Sequence, residues 1–429
     1  MSVAQILRIW ADIFERAVVI SWSRRLQDNV KPVYQILSNA IKGFHMTEAD
    51  LIEQMRNWRR HLHQNPEFGH QETETAAFVV DKLHSFGISD IKTGIGKTGV
   101  VASLRLGSSD RTIALRADMD CLPIHETTNL PYASTKPDLM HACGHDGHTT
   151  MLLGAAARLA TEGGFDGTVH FVFQPAEEWG QGMTSMIADG LGSTIKFDEI
   201  YGLHNMPGLP VGQFETRAGA LMGAEDGFMI TVHGKGGHAS RPHECSDAIV
   251  CASSIVSELQ TVVSRNIDPA DLAVVSVTYI AGDNIKNAIS STARIEGDCR
   301  HFSDDVSQKI ETSIRRIATG VAAAHGCTVE VSYDRVFVPL INDADAVEHC
   351  VTAANAIFGP DNVNANGALM GASEDFARAL TLALGAFVII GNGDSAPLHN
   401  SGYDFNDNAL TYGTDWFVEL TRQRLKPKS

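Results

Sequence analysis

Residues 168–178 read Thr168-Val169-His170-Phe171-Val172-Phe173-Gln174-Pro175-Ala176-Glu177-Glu178. A β-rich apolar run stops at a proline and two acids follow at once, which is how a strand of an open α/β sheet delivers polar groups to its C-terminal edge. The same grammar recurs along the chain. A strand from Thr112 to Ala117 closes in Asp118-Met119-Asp120, one over 199–203 ends at His204-Asn205, and one over 385–391 precedes Leu398-His399-Asn400. A further strand is expected over 99–106, with helical patterns over 48–63, 72–86 and an Ala-rich 147–161. The expected fold class is α/β, a mainly parallel sheet flanked by helices.

The stretch from Ala224 to Arg335 has its own rhythm: strand 226–233, helix 245–263, strands 273–280 and 292–299, helix 305–324, strand 327–333. That β-α-β-β-α-β order is ferredoxin-like and predicts an inserted α+β domain over 224–335. The catalytic domain is then discontinuous, over 46–223 and 336–429. Residues 1–45 are locally basic, with apolar residues at helical spacing (Ile6, Ile9, Trp10, Ile13, Phe14), and read as an N-terminal extension. Met46-Thr47-Glu48-Ala49-Asp50 reads as a fresh start with an N-cap and an acidic first turn, so the extension is either an amphipathic helix or the product of a gene model begun upstream.

With 429 residues, 44% hydrophobic and 20% charged, the chain has the balance of an ordinary folded protein. A net charge of −17 repels phosphate backbones and anionic membranes, so neither nucleic acid nor membrane is an expected partner. Seven cysteines, odd in number and without a C-x-x-C pair, suit a reducing cytoplasm. Gly94-Ile95-Gly96-Lys97-Thr98-Gly99 imitates a nucleotide-binding loop, but a strand pattern and not a helix follows it, and a glycine-rich hairpin turn is the better reading.

The chemistry concentrates where strands end. Three His, one Cys and one Asp crowd into His141-Ala142-Cys143-Gly144-His145-Asp146-Gly147-His148, a density that points to a metal site. Glu177-Glu178 offer one ligand and one free general base. His204 and His399 each end a strand or follow one, and Asp118 is a candidate catalytic residue or a turn cap.

Taken together, these segments resemble the M20 metallopeptidase family, in the Cys-containing amidohydrolase branch of hippurate hydrolases, N-acyl-amino-acid deacylases and auxin-conjugate hydrolases. The resemblance runs from Met46 to Leu425. It includes Arg59-Arg60-His61-Leu62-His63, Arg116-Ala117-Asp118-Met119-Asp120, Gln174-Pro175-Ala176-Glu177-Glu178, Gly234-Lys235-Gly236-Gly237-His238-Ala239 and Ser373-Glu374-Asp375-Phe376. It implies that Cys143, His145, Glu178, His204 and His399 hold two divalent metals, with Glu177 as general base. It also implies that the inserted domain dimerises and lends His238 to a neighbouring site as an oxyanion donor. Asn287 and Arg300 are candidates for the substrate carbonyl and carboxylate. The family normally has Ala at Cys121 and Pro-Asp at Ser290-Ser291, the latter beside a substrate loop.

Two cations acidify a shared water from a pKa of about 15.7 towards about 7, which makes amide hydrolysis accessible at neutral pH. Zinc or manganese is expected, with cobalt and nickel compatible with the same donors. The expected activity is hydrolysis of N-acyl amino acids to a carboxylate and a free amino acid. The alternatives are a dipeptidase or carboxypeptidase of the same fold and a non-catalytic metal-binding homologue.

Overall fold

The computed structural model describes residues 47–282 and 286–427. The reading of residues 1–45 as an extension lies outside the described residues. The first helix, α1 (Glu48–Gln64), starts at a capping box: the Thr47 hydroxyl accepts the Asp50 amide while the Asp50 carboxylate accepts the Thr47 amide. It buries Leu51, Met55, Trp58 and Leu62 on one stripe. Next come α2 (Thr73–Ser85), β1 (Asp90–Ile95), β2 (Gly99–Leu106), β3 (Thr112–Asp118), α3 (His145–Glu162), β4 (Gly167–Gln174), α4 (Gly182–Ala188) and β5 (Glu199–Pro207).

The main sheet has the strand order β1-β2-β4-β3-β5-β16-β6-β15, where β6 is Phe214–Glu215, β15 is Val363–Asn364 and β16 is Leu384–Gly393. Its centre, β4, β3, β5 and β16, is parallel throughout. The antiparallel pairs lie to its sides, β1 with β2, β2 with β4, and β6 with β16. Gly94–Gly99 forms the β1–β2 hairpin connection, as its composition predicts. One face of the sheet is covered by α1, α2, α3 and two helices not foreseen in the sequence, α8 (Ala344–Phe358) and α9 (Ala409–Arg424). The other face packs Met183, Met186, Phe197 and Phe376.

A second, four-stranded sheet is built from β8 (Ala224–His233), β10 (Ala273–Gly282), β12 (Thr292–His301) and β13 (Thr328–Phe337) in the order β10-β12-β8-β13. All its pairs are antiparallel, which is the ferredoxin-like arrangement. Helices α5 (Ala248–Leu259), α6 (Thr261–Asn266) and α7 (Asp304–Ala324) close a separate apolar core around Ile230, Ile255, Ile295 and Ile314. The single helix expected over 245–263 is two helices parted at Gln260. Short strands β7 (Gly219–Met222) and β14 (Leu340–Asn342) pair where the chain leaves and re-enters the main sheet, and β9 (Gly237–His238) pairs with β11 (Ala288–Ile289). Among the described residues no helix is long and apolar enough to cross a membrane.

Candidate active site

Four parallel strands bring their C-terminal ends to one edge, and the polar residues gather there. Cys143 and His145 flank Gly144, whose φ of 99° favours glycine and where a methyl group would overlap the Asn205 amide and the Tyr403 hydroxyl. That turn lets two ligand types separated by one residue face one centre. Cys143 Sγ lies 3.4 Å from His204 Nε2, and His145 Nε2 lies 3.9 Å from Glu178 Oε1. Glu178 Oε2 lies 3.4 Å from His399 Nε2. Two groups of possible ligands, Cys143–His145–His204 and Cys143–Glu178–His399, share the Cys143 sulfur.

Supporting contacts orient these side chains. His145 Nδ1 donates to the Asp120 carbonyl oxygen at 3.0 Å, and His204 Nδ1 donates to the Asn205 carbonyl oxygen at 2.6 Å, so both rings turn Nε2 toward the centre. Among the described residues, His145 Nε2 and Glu178 Oε1 are buried without a hydrogen-bond partner. Buried polar atoms are normally paired, so two of them facing each other are a donor set that suits a cation.

The electrostatics point the same way. Burial and the nearby carboxylates of Glu178 and Glu177 push the Cys143 thiol well above its usual range, and burial pushes Glu178 up to about 8. Burial opposes charge on His145, but Asp118, Asp120 and Glu178 outweigh it and push that imidazole up to about 10. The cluster is short of positive charge, and thiolate, carboxylate and imidazole are the donors that divalent metals take.

Glu177, also buried, lies with His145 and Glu178 in one group and accepts the Asp375 amide at 3.3 Å. Burial, then Glu374, Glu178 and Asp375, raise its proton affinity well above that of an ordinary carboxyl. Asp118 is engaged on both oxygens, with Arg116 at 2.8 Å and His148 at 2.7 Å, and lies 3.6 Å from His145 Nε2. Arg116, fully buried, also meets Glu374 at 2.8 Å, Asp375 at 3.3 Å and Gln174 at 2.7 Å. These partners, with Asp120, carried no assigned role from the sequence alone. The signal was present in Arg116-Ala117-Asp118-Met119-Asp120 and Ser373-Glu374-Asp375-Phe376, but not the pairing.

The remaining candidates stand apart from this cluster. His238 is exposed on β9, its Nδ1 accepting from the Ser240 hydroxyl at 2.8 Å and amide at 3.2 Å. Asn287 is exposed in the turn before β11. Arg300, on β12, is bound to Glu225 at 2.7 Å and Asp298 at 2.9 Å, and donates to the Ser373 hydroxyl at 3.0 Å.

The fold and this constellation define a metal-dependent hydrolase, and residues 114–423 match the model of peptidase family M20/M25/M40, to which the chain belongs. It is 40% identical over 377 residues to a hippurate hydrolase of Campylobacter jejuni, covering 88% of this chain and 98% of that one. An N-acetylcysteine deacetylase of Bacillus subtilis is 37% identical over 376 residues, covering 87% of this chain and 98% of the relative. Among solved structures it is similar to the Bacillus subtilis YXEP protein, a dinuclear metal binding peptidase of the M20 family. The TM-score is 0.78 at 33% identity, over 88% of this chain and 99% of that one.

Proposed function

We propose that the chain is a metal-dependent amidohydrolase that cleaves N-acyl amino acids, of the hippurate or N-acetyl type, to a carboxylate and a free amino acid. The observation that carries this reading is the pair of ligand groups joined at Cys143, with His145 Nε2 and Glu178 Oε1 lacking a hydrogen-bond partner among the described residues, beside the proton-hungry Glu177. Cys143, His145, Glu178, His204 and His399 would hold two divalent ions. When bound, such ions supply Lewis acidity, acidifying water and polarising the amide carbonyl. Zinc suits the thiolate and imidazoles, and manganese, cobalt or nickel suit the carboxylate and imidazoles.

Glu177 takes the proton of the attacking water and returns it to the leaving nitrogen, a shuttle that its raised proton affinity supports. Asp118, clamped by Arg116, orients His148 beside the cluster. His238 stabilises the developing oxyanion from a second copy of the chain. Asn287 is assigned to the substrate carbonyl and Arg300 to its carboxylate, which would compete with Glu225 and Asp298 for the guanidinium. The working unit is a cytoplasmic homodimer formed through the second sheet, and the net charge of −17 and seven cysteines free of disulfides support that setting.

The test is a product screen on N-acetyl, N-benzoyl and longer N-acyl amino acids and on unblocked dipeptides, with and without chelator, paired with elemental analysis. Release of free amino acid from the N-acyl substrates, abolished by chelator, is expected. Chelator-insensitive turnover would overturn the metal assignment. Preference for unblocked dipeptides would assign a dipeptidase or carboxypeptidase instead.

A further inference from the structure

Glu72 is the N-cap residue of α2, yet its side chain makes no capping bond to that helix. Glu67 serves there in its place, accepting the amides of Thr75 at 2.8 Å and Glu74 at 3.3 Å. The Glu72 carboxylate, fully buried, turns instead toward the candidate site. One oxygen accepts the Ala176 amide at 2.8 Å and the other accepts the Thr98 hydroxyl at 2.5 Å. Thr98 belongs to the Gly94–Gly99 turn, the stretch that imitates a nucleotide-binding loop.

Ala176 holds a left-handed conformation, φ 48° and ψ 44°, immediately before Glu177 and Glu178. On the far side of Glu177, Asp120 Oδ2 accepts the Glu178 amide at 3.1 Å while its carbonyl oxygen accepts from His145 Nδ1. Two buried carboxylates thus bracket Glu177, each gripping a backbone amide. The packing around this turn is close. A Cβ on Gly69 would lie 2.8 Å from Trp179 Cδ1 and 3.1 Å from Ala176 Cα, and one on Gly99 would lie 3.0 Å from Pro175 Cδ.

We propose that Glu72, locked by Thr98, is a positioning residue that holds Ala176 in its left-handed conformation and thereby aims Glu177 and Glu178 into the centre. The proposal rests on the reading of Glu178 as ligand and Glu177 as base. A non-glycine residue adopts this conformation at a cost, so without the hydrogen bond Ala176 relaxes and the two side chains after it swing away. The hairpin turn, which lacks the context to bind a nucleotide, is on this account a pillar of the metal centre.

Three variants test it, Glu72→Ala, Glu72→Gln and Thr98→Val, with two readouts: hydrogen exchange at the Ala176 amide in metal-free protein, and divalent-metal affinity measured with zinc and with manganese. Glu72→Ala is expected to accelerate exchange at Ala176 and to weaken metal binding by about 10–100-fold, the usual effect of losing a supporting contact. Glu72→Gln keeps an acceptor for Ala176 and a donor for Thr98, so it should stay at the level of the unmodified protein. Thr98→Val should shift both readouts in the same direction by less.

Unchanged exchange in Glu72→Ala, or a Glu72→Gln variant as impaired as Glu72→Ala, would overturn the proposal. If Glu72→Ala does not fold, Thr98→Val decides, because unchanged exchange there would overturn it equally. An unmodified chain that takes up neither metal would overturn the metal reading, while exchange at Ala176 would still report on Glu72.

Discussion

Glu177 and Glu178 are adjacent in sequence but do opposite things with their oxygens. Glu178 points one oxygen, without a hydrogen-bond partner among the described residues, at His145 and the other toward His399, whereas Glu177 sits back among Glu374 and Asp375. Replacing Glu177 by Gln should therefore leave metal content intact and lower kcat by about 10²–10⁴-fold, the contribution of a general base. Elemental analysis beside steady-state kinetics checks this, and metal loss in that variant would exchange the roles of the two acids. A second residue-scale prediction concerns His63, fully buried between Asp146 at 2.8 Å and Glu126 at 3.3 Å, with Arg59 and His141 nearby. Burial opposes its charge, but the bonds to Asp146 and Glu126 outweigh that and push it up to about 9. A folded-state value above the unfolded value of about 6.5 stabilises the fold fully below about pH 6.5, and this contribution is lost as pH rises through about 9. Its size is on the order of 3 kcal/mol. Because His145 is also raised, to about 10, denaturant unfolding between about pH 6 and pH 10 should show a steeper loss in the unmodified chain than in His63→Gln. An equal slope in both would remove His63 as its source.

At the scale of elements, the strands that carry the site were legible because burial period and turn chemistry are local properties. The run before Pro175 and the strand ending at Asp118 appear as read, and so does the hairpin at Gly94–Gly99, while the strand expected to end at His204 runs on to Pro207. Two helices of the main layer were not foreseen, although Ala344–Phe358 carries a plain start signal: the Asp343 side chain accepts the Asp345 and Ala346 amides. The break at Gln260 was also illegible, since helical pattern continues on both sides of it. Gly144 shows how an element boundary serves the site, because its positive φ and its closeness to Asn205 and Tyr403 set the turn between Cys143 and His145. Gly144→Ala should cost about 1–3 kcal/mol from backbone strain alone and lower metal occupancy with it. Thermal unfolding with and without metal measures both, and an unchanged Tm and occupancy would show that the turn tolerates a side chain.

At the scale of the whole molecule, the second sheet leaves β10 as an edge strand with Val274, Tyr279 and Ile280 about half exposed, next to Ile249 and Val250 of α5. Such an edge invites pairing, and a two-fold dimer would cover both copies at once. His238 makes this testable, because among the described residues the hydrogen bonds of its imidazole are local, to Ser240. His238→Ala should reduce turnover by about 10²–10³-fold with metal content unchanged, the usual effect of losing one oxyanion donor. Mixing it with Glu177→Gln should restore one of the two sites in each mixed dimer, since the intact Glu177 of one copy then meets the intact His238 of the other. Subunit exchange without recovery would show that His238 does not act across the interface.

The sequence alone determined which strands end in chemistry, which residue types stand there, and that a β-α-β-β-α-β unit interrupts the main sheet. Periodicity, caps and turns act over a few residues, so a single stretch suffices to read them. Only the tertiary structure decided how the buried charges are shared. Arg116 meets Glu374 across 258 residues of chain, and Arg300 is taken up by Glu225, Asp298 and Ser373. Likewise, Glu72 serves Ala176 and not its own helix. A buried ion must find a partner, but which partner depends on the segments that the sheet order brings side by side, and no local pattern encodes that.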